Sequence, residues 1–134
     1  MKRLLLSSMA LLGAITLSAT ALAAGGDASK EAATAVTHAQ LAAASQSIAV
    51  TDMHLHHVIN CLVGPHGRGF DAKAGDPCKG MGAGAVRDSS GDKDLHAKTL
   101  KALTAARHGL ATKDLSAAHD AASKVADILG SGGM

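Results

Sequence analysis

Between Ser29 and Val63 the chain contains neither glycine nor proline, and alanine dominates the first half of that run. Such a stretch has strong helix composition and no turn residues of its own, so it constrains the fold more than any other segment. Leu41, Ala44, Ile48, Thr51, Leu55, Val58, Ile59 and Leu62 recur at steps of three and four, which lays one apolar stripe along the whole run. The unbroken phase predicts a single long helix over 29–63, ended by Gly64-Pro65. Its weak point is Ile48 to Asp52, where β-branched residues cluster and Thr51 or Asp52 can cap a new helix, giving two short helices in place of one.

Residues 64–91 hold most of the remaining turn signals, including both prolines, and read as a long glycine-rich loop. Loops of that length in a small domain are usually functional or disordered. Gly80-Met81-Gly82-Ala83-Gly84 superficially matches a dinucleotide-binding loop, but no strand precedes it and no βαβ pattern surrounds it. Helical periodicity resumes over 92–108 through Leu95, Leu100, Leu103 and Ala106, with Gly109 as a natural cap. A last helix over 112–129, capped by Thr112 or Asp114, carries the stripe Leu115, Ala118, Ala122, Val125 and Leu129. The few residues between these two helices require an antiparallel hairpin, with the N-terminal helix packed alongside. The expected fold class is therefore all-α, a small helical bundle. Phe70 is the sole aromatic residue, so the core is built from Ala, Leu, Val and Ile.

The N-terminus sets the expected compartment. A basic head, Lys2-Arg3, an apolar stretch from Leu4 to Leu17, and the small-x-small sequence Ala21-Leu22-Ala23 have the form of a secretory signal peptide over 1–23. The apolar run is short, contains Ser and Thr, and has no basic stop-transfer flank, so no membrane association is expected after cleavage. The mature chain, 24–134, is then a single periplasmic or secreted domain. Loss of Lys2 and Arg3 takes the 13 basic residues to 11, equal to the acidic count of 11. That balance gives no basic surface for nucleic acid. Two cysteines in an exported chain most simply form one disulfide, Cys61 to Cys78, worth about 3 kcal/mol on the chain-entropy model. The rival reading keeps Cys61 as a thiolate ligand beside His57 at i, i+4.

The densest chemistry is Met53-His54-Leu55-His56-His57, just ahead of Cys61. Imidazole is the commonest protein metal ligand, and a thioether extends the set toward soft ions. On a helix His54, His57 and Cys61 share one flank, while His56 shares another with Asp52. His54 and His57, at i, i+3, are spaced to reach one ion. The bland alternative makes His56 a solvated partner of Asp52 and His54 a filler at the core edge. His96 falls on an apolar stripe and reads as a hydrogen-bonded core-edge residue. His66 sits in the loop without a fixed partner. His38 precedes His54 by sixteen residues, about 24 Å along a continuous helix, which would bar the two from one ion.

Ala105-Ala106-Arg107-His108-Gly109, then Asp114, then Ala118-His119-Asp120-Ala121-Ala122 resembles the repeat unit of the small metal-binding protein family, which are exported, His-rich helical bundles. Thr37-His38-Ala39-Gln40-Leu41-Ala42 loosely echoes the same segment. The resemblance implies copper or other divalent metal binding, with His108, His119 and more weakly His38 in the ligand positions. This chain departs from the family in its sparser histidines, its cysteine pair and its long loop.

The leading expectation is a periplasmic protein that buffers or delivers copper, with zinc or nickel as alternatives because neutral imidazoles suit all three. Its candidate metal residues are Met53, His54, His56, His57, His108, His119 and His38. The alternative is an exported interaction or structural domain whose loop contacts a periplasmic protein partner. No Ser-His-Asp arrangement, zincin motif or catalytic carboxylate pair stands out, so an enzyme is not expected. Haem ranks lowest: C-x-x-C-H is absent, which excludes covalent attachment and leaves only a noncovalent His/Met-ligated group.

Overall fold

The computed structural model describes residues 26–131, so the expected signal peptide lies outside the described residues. Within them the chain forms α1 (Ala28–Ala43), α2 (Ile48–Val63), the single-turn α3 (Ala85–Asp88), α4 (Lys93–Ala111) and α5 (Leu115–Gly130). No strand occurs among the described residues. The all-α bundle expected from periodicity is what forms.

The Gly- and Pro-free run does not continue as one helix. It breaks at residues 44–47, directly before the suspected Ile48–Asp52 segment, and the cap is Ser47 rather than Thr51 or Asp52. The physical cause is the Ser45-Gln46-Ser47 sequence, since serine hydroxyls bond nearby backbone and favour helix ends. Ser45 Oγ lies 3.0 Å from Ala42 O, Thr51 Oγ1 lies 3.0 Å from Ser47 O, and the two hydroxyls meet, so that one donates to the other and the second donates to its carbonyl. These bonds close α1 and α2 into a hairpin. The reversal also moves the buried face of α1 onto its alanines: Ala32, Ala35, Ala39 and Ala42 are buried, while Leu41 is 46% exposed and no part of the core stripe.

In the folded bundle α1 packs on α2 and α5, and α4 packs on α5 and α2. Leu55, Val58, Ile59 and Leu62 of α2 supply the bulk of the core against small residues from the other helices. Small faces permit close approach, and Gly109 shows how close. It is not the cap of α4 but a buried interior position, where an added β-carbon would sit 2.9 Å from Leu55 Cδ1 and 3.0 Å from Ala121 Cβ. α4 runs on to Ala111, and Asp114 caps α5 by accepting from Ala117 N at 2.7 Å. Leu100, expected on the buried stripe of α4, is 44% exposed, and Thr99 is buried in its place.

The loop between α2 and α4 is ordered by specific bonds. Cys61 and Cys78 are joined in a disulfide with their Cα atoms 5.2 Å apart, so neither is a free ligand. Gly64, with φ of 70°, ends α2 directly against the backbone of Ala83 and Gly84, an approach that any β-carbon would block. Glu31 of α1 is 1% exposed and accepts from Gly84 N at 3.0 Å, while Asp88 accepts from Ala83 N at 2.7 Å. Burial pushes the Glu31 carboxyl up to about 7 against the opposing pull of the Gly84 amide, and the charge of Asp88 adds to the rise.

Candidate metal centre

Because α1 folds back on α2, His38 faces His54 and His57. His38 Nδ1 lies 3.1 Å from His54 Nδ1 and 3.2 Å from His57 Nδ1. The separation expected along a continuous helix is thus corrected by the hairpin: the two histidines held apart by sixteen residues of sequence are neighbours in space. One ligand nitrogen from each of the three lies within 4.8 Å of the others, and this is the one such group of three or more candidate ligands among the described residues. Three half-buried imidazoles are therefore placed to hold a metal ion.

The spacing suits an ion. With metal–nitrogen bonds of about 2.0–2.1 Å, the His38–His54 and His38–His57 pairs, 3.1 and 3.2 Å apart, each subtend about 100° at the centre, between octahedral and tetrahedral values. The protonation states suit it as well. His38 and His54 are held below the ordinary imidazole range, chiefly by burial, with further lowering from His57 at both and from His54 at His38. Neutral imidazole is the form that ligates. Without an ion the cluster has at most one shared N–H between three ring nitrogens, a weaker arrangement than two full hydrogen bonds.

His57 is oriented from outside the cluster. Its Nε2 lies 2.6 Å from Ala74 O, and a carbonyl oxygen only accepts, so Nε2 carries the hydrogen and Nδ1 presents its lone pair to the centre. Asn60, buried one turn further along α2, fixes the segment that carries that carbonyl. Its Nδ2 donates to Asp71 O and Gly75 O, both at 2.7 Å, and its Oδ1 accepts from Asp71 N at 2.8 Å. The disulfide pins the same loop a few residues later, at Cys78.

The other expected ligands lie elsewhere. His56 Nδ1 is 3.7 Å from Asp71 Oδ2, while Asp52 pairs with Lys113 at 3.7 Å, so the expected His56–Asp52 pair is not formed. Met53 is 42% exposed. His108 is exposed on α4 and lines a groove with Asp120 of α5; His119 is half-buried on α5, its Nε2 without a hydrogen-bond partner. Neither belongs to a group of three ligands. His66 is exposed in the loop, and His96 is a core-edge residue with Nδ1 2.9 Å from Val86 O.

Asn60 was not singled out by sequence. Its signal was available: an amide side chain inside the apolar run Val58-Ile59-Asn60-Cys61-Leu62, which demands internal partners once buried. The Ala74 carbonyl has no sequence signal, since every residue carries one.

Comparison with protein-family models, curated proteins and solved structures found no match.

Proposed function

We propose that this chain is an exported helical-bundle protein that binds a late divalent transition metal through His38, His54 and His57, for buffering or delivery rather than catalysis. The convergence of three Nδ1 atoms from two helices is the observation that carries the reading. Copper is the favoured ion, because an all-nitrogen site follows the Irving–Williams order, in which Cu(II) stands highest; zinc and nickel fit the same donors. Three protein ligands leave a coordination position for exchange, which suits an ion that is taken up and passed on. The Cys61–Cys78 disulfide supports an oxidising compartment, and the periplasm is the proposed one.

Kinship with the small metal-binding protein family would instead put the ligands at His108 and His119. The geometry favours the α1–α2 hairpin, where three donors already meet. Copper and zinc titrations of the purified protein separate the two. Joint replacement of His38, His54 and His57 by Gln is expected to abolish tight binding, and His108→Gln with His119→Gln to leave it intact. The reverse pattern, with helical content unchanged, refutes the assignment to α1 and α2. Absence of tight binding to the wild-type protein refutes the function itself.

A further inference from the structure

All three arginines among the described residues line one cleft of about 290 Å3. Arg68 comes from the loop after α2, Arg87 from α3 and Arg107 from α4, and His66 joins them. No carboxylate lines this cleft, and none of the three arginines takes part in an ion pair among the described residues. Asp88, next to Arg87 in sequence, is occupied with the Ala83 amide. Three exposed guanidiniums from separate elements, with no carboxylate among them, give this cleft a concentrated positive charge.

The cleft is built rather than accidental. Arg107 Nη2 donates to Arg68 O at 2.9 Å, which holds that guanidinium across the α4–loop junction with its other donors available. The loop wall beside it is a tight turn, with Gly67 N donating to Gly64 O at 2.9 Å and Phe70 N donating to Gly67 O at 3.2 Å. Val63 and Leu103 give the cleft an apolar floor. A cavity near the lower end of the small-molecule range, about 300–1,000 Å3, takes a ligand of few atoms. Guanidinium forks match the paired oxygens of phosphate and carboxylate.

We propose that this cleft binds a small phosphate monoester, its dianionic end held by Arg68, Arg87 and Arg107 and its organic body resting on Val63 and Leu103. Three cations favour a phosphate, which carries about −1.5 to −2 near neutrality, over a singly charged carboxylate. The apolar floor favours an ester over inorganic phosphate.

Calorimetric titration of the metal-free, disulfide-intact protein at low salt tests this, with phenyl phosphate, inorganic phosphate and benzoate as probes. Saturable binding is expected for phenyl phosphate, weaker for the other two. Arg68→Gln combined with Arg87→Gln removes two guanidiniums without touching the backbone carbonyl that braces Arg107, and is expected to weaken phenyl phosphate by roughly tenfold or more. Arg107→Lys keeps the charge but loses the fork, and is expected to weaken it by a smaller factor. Either of two results overturns the proposal: no saturable binding of phenyl phosphate to the wild-type protein, or affinity unchanged in the folded double variant. Inorganic phosphate or benzoate binding as tightly as the ester overturns the assigned ligand class.

Discussion

His38 Nδ1 and His54 Nδ1 face each other at 3.1 Å across the α1–α2 hairpin. His38 is the only histidine that α1 contributes to the cluster, so the candidate metal centre closes only when the two helices pack. His38→Gln is expected to lower copper and zinc affinity by roughly tenfold or more, on the reasoning that loss even of outer-shell partners costs 10–100-fold. Isothermal titration of the folded variant measures this. Affinity retained without His38 would leave α2 as the sole binding element.

Asn60 holds the loop whose Ala74 carbonyl orients His57. Asn60→Ala is expected to reduce metal affinity by about 10–100-fold while leaving the Cys61–Cys78 bond formed. The same change leaves two loop carbonyls and one amide without their partner, so a stability loss of about 1–3 kcal/mol should accompany it in urea denaturation. Wild-type metal affinity in that variant would show that His57 needs no outer support.

The half-buried histidines and the buried Glu31 push stability in opposite directions with pH. His38 and His54, with lowered folded-state values, contribute stability that is present above pH 6.5 and lost as pH falls through their depressed folded-state values. Glu31, raised from 4.5 to about 7, contributes stability that is full below pH 4.5 and lost as pH rises through 7. Glu31→Gln keeps an acceptor for the Gly84 amide but cannot ionise. Its stability relative to wild type, read from denaturation midpoints of the metal-free proteins, should therefore be greater at pH 8 than at pH 5. A difference independent of pH would mean that the buried carboxyl titrates normally.

Gly109→Ala sets two effects against each other. Helix propensity favours alanine by about 1 kcal/mol, whereas overpacking a closed core costs about 1–3 kcal/mol. Leu55 and Ala121 stand 2.9 and 3.0 Å from the new β-carbon, and Leu55 is fully buried with little room to move. Net destabilisation of about 1 kcal/mol is expected in chemical denaturation. A stabilised variant would show that the helices separate slightly at no cost.

Much of this fold is legible in the residues, and the failures have a common physical source. The 3.6-residue period identifies the helices, and the isolated cysteine pair identifies the disulfide. Periodicity says nothing, however, about whether a helix stays straight. The phase of Leu41 and Ile48 suited one continuous stripe, yet Ser45 and Ser47 turned the chain, and alanines rather than Leu41 filled the buried face of α1. That one turn brings His38 to His54. The same reliance on local sequence grouped His56 with Asp52, because it could not anticipate that Asp71 from the loop would approach His56 and Lys113 would take Asp52.

Nitrogen-15 resonances of the imidazole rings, followed during zinc titration, probe the centre most directly. Before zinc is added, His57 should carry its hydrogen on Nε2. As zinc is added, the Nδ1 signals of His38, His54 and His57 should shift together and saturate at one equivalent, with His108 and His119 unmoved. Zinc-dependent shifts confined to His108 and His119, or an unresponsive His38, would contradict a centre formed by the α1–α2 hairpin.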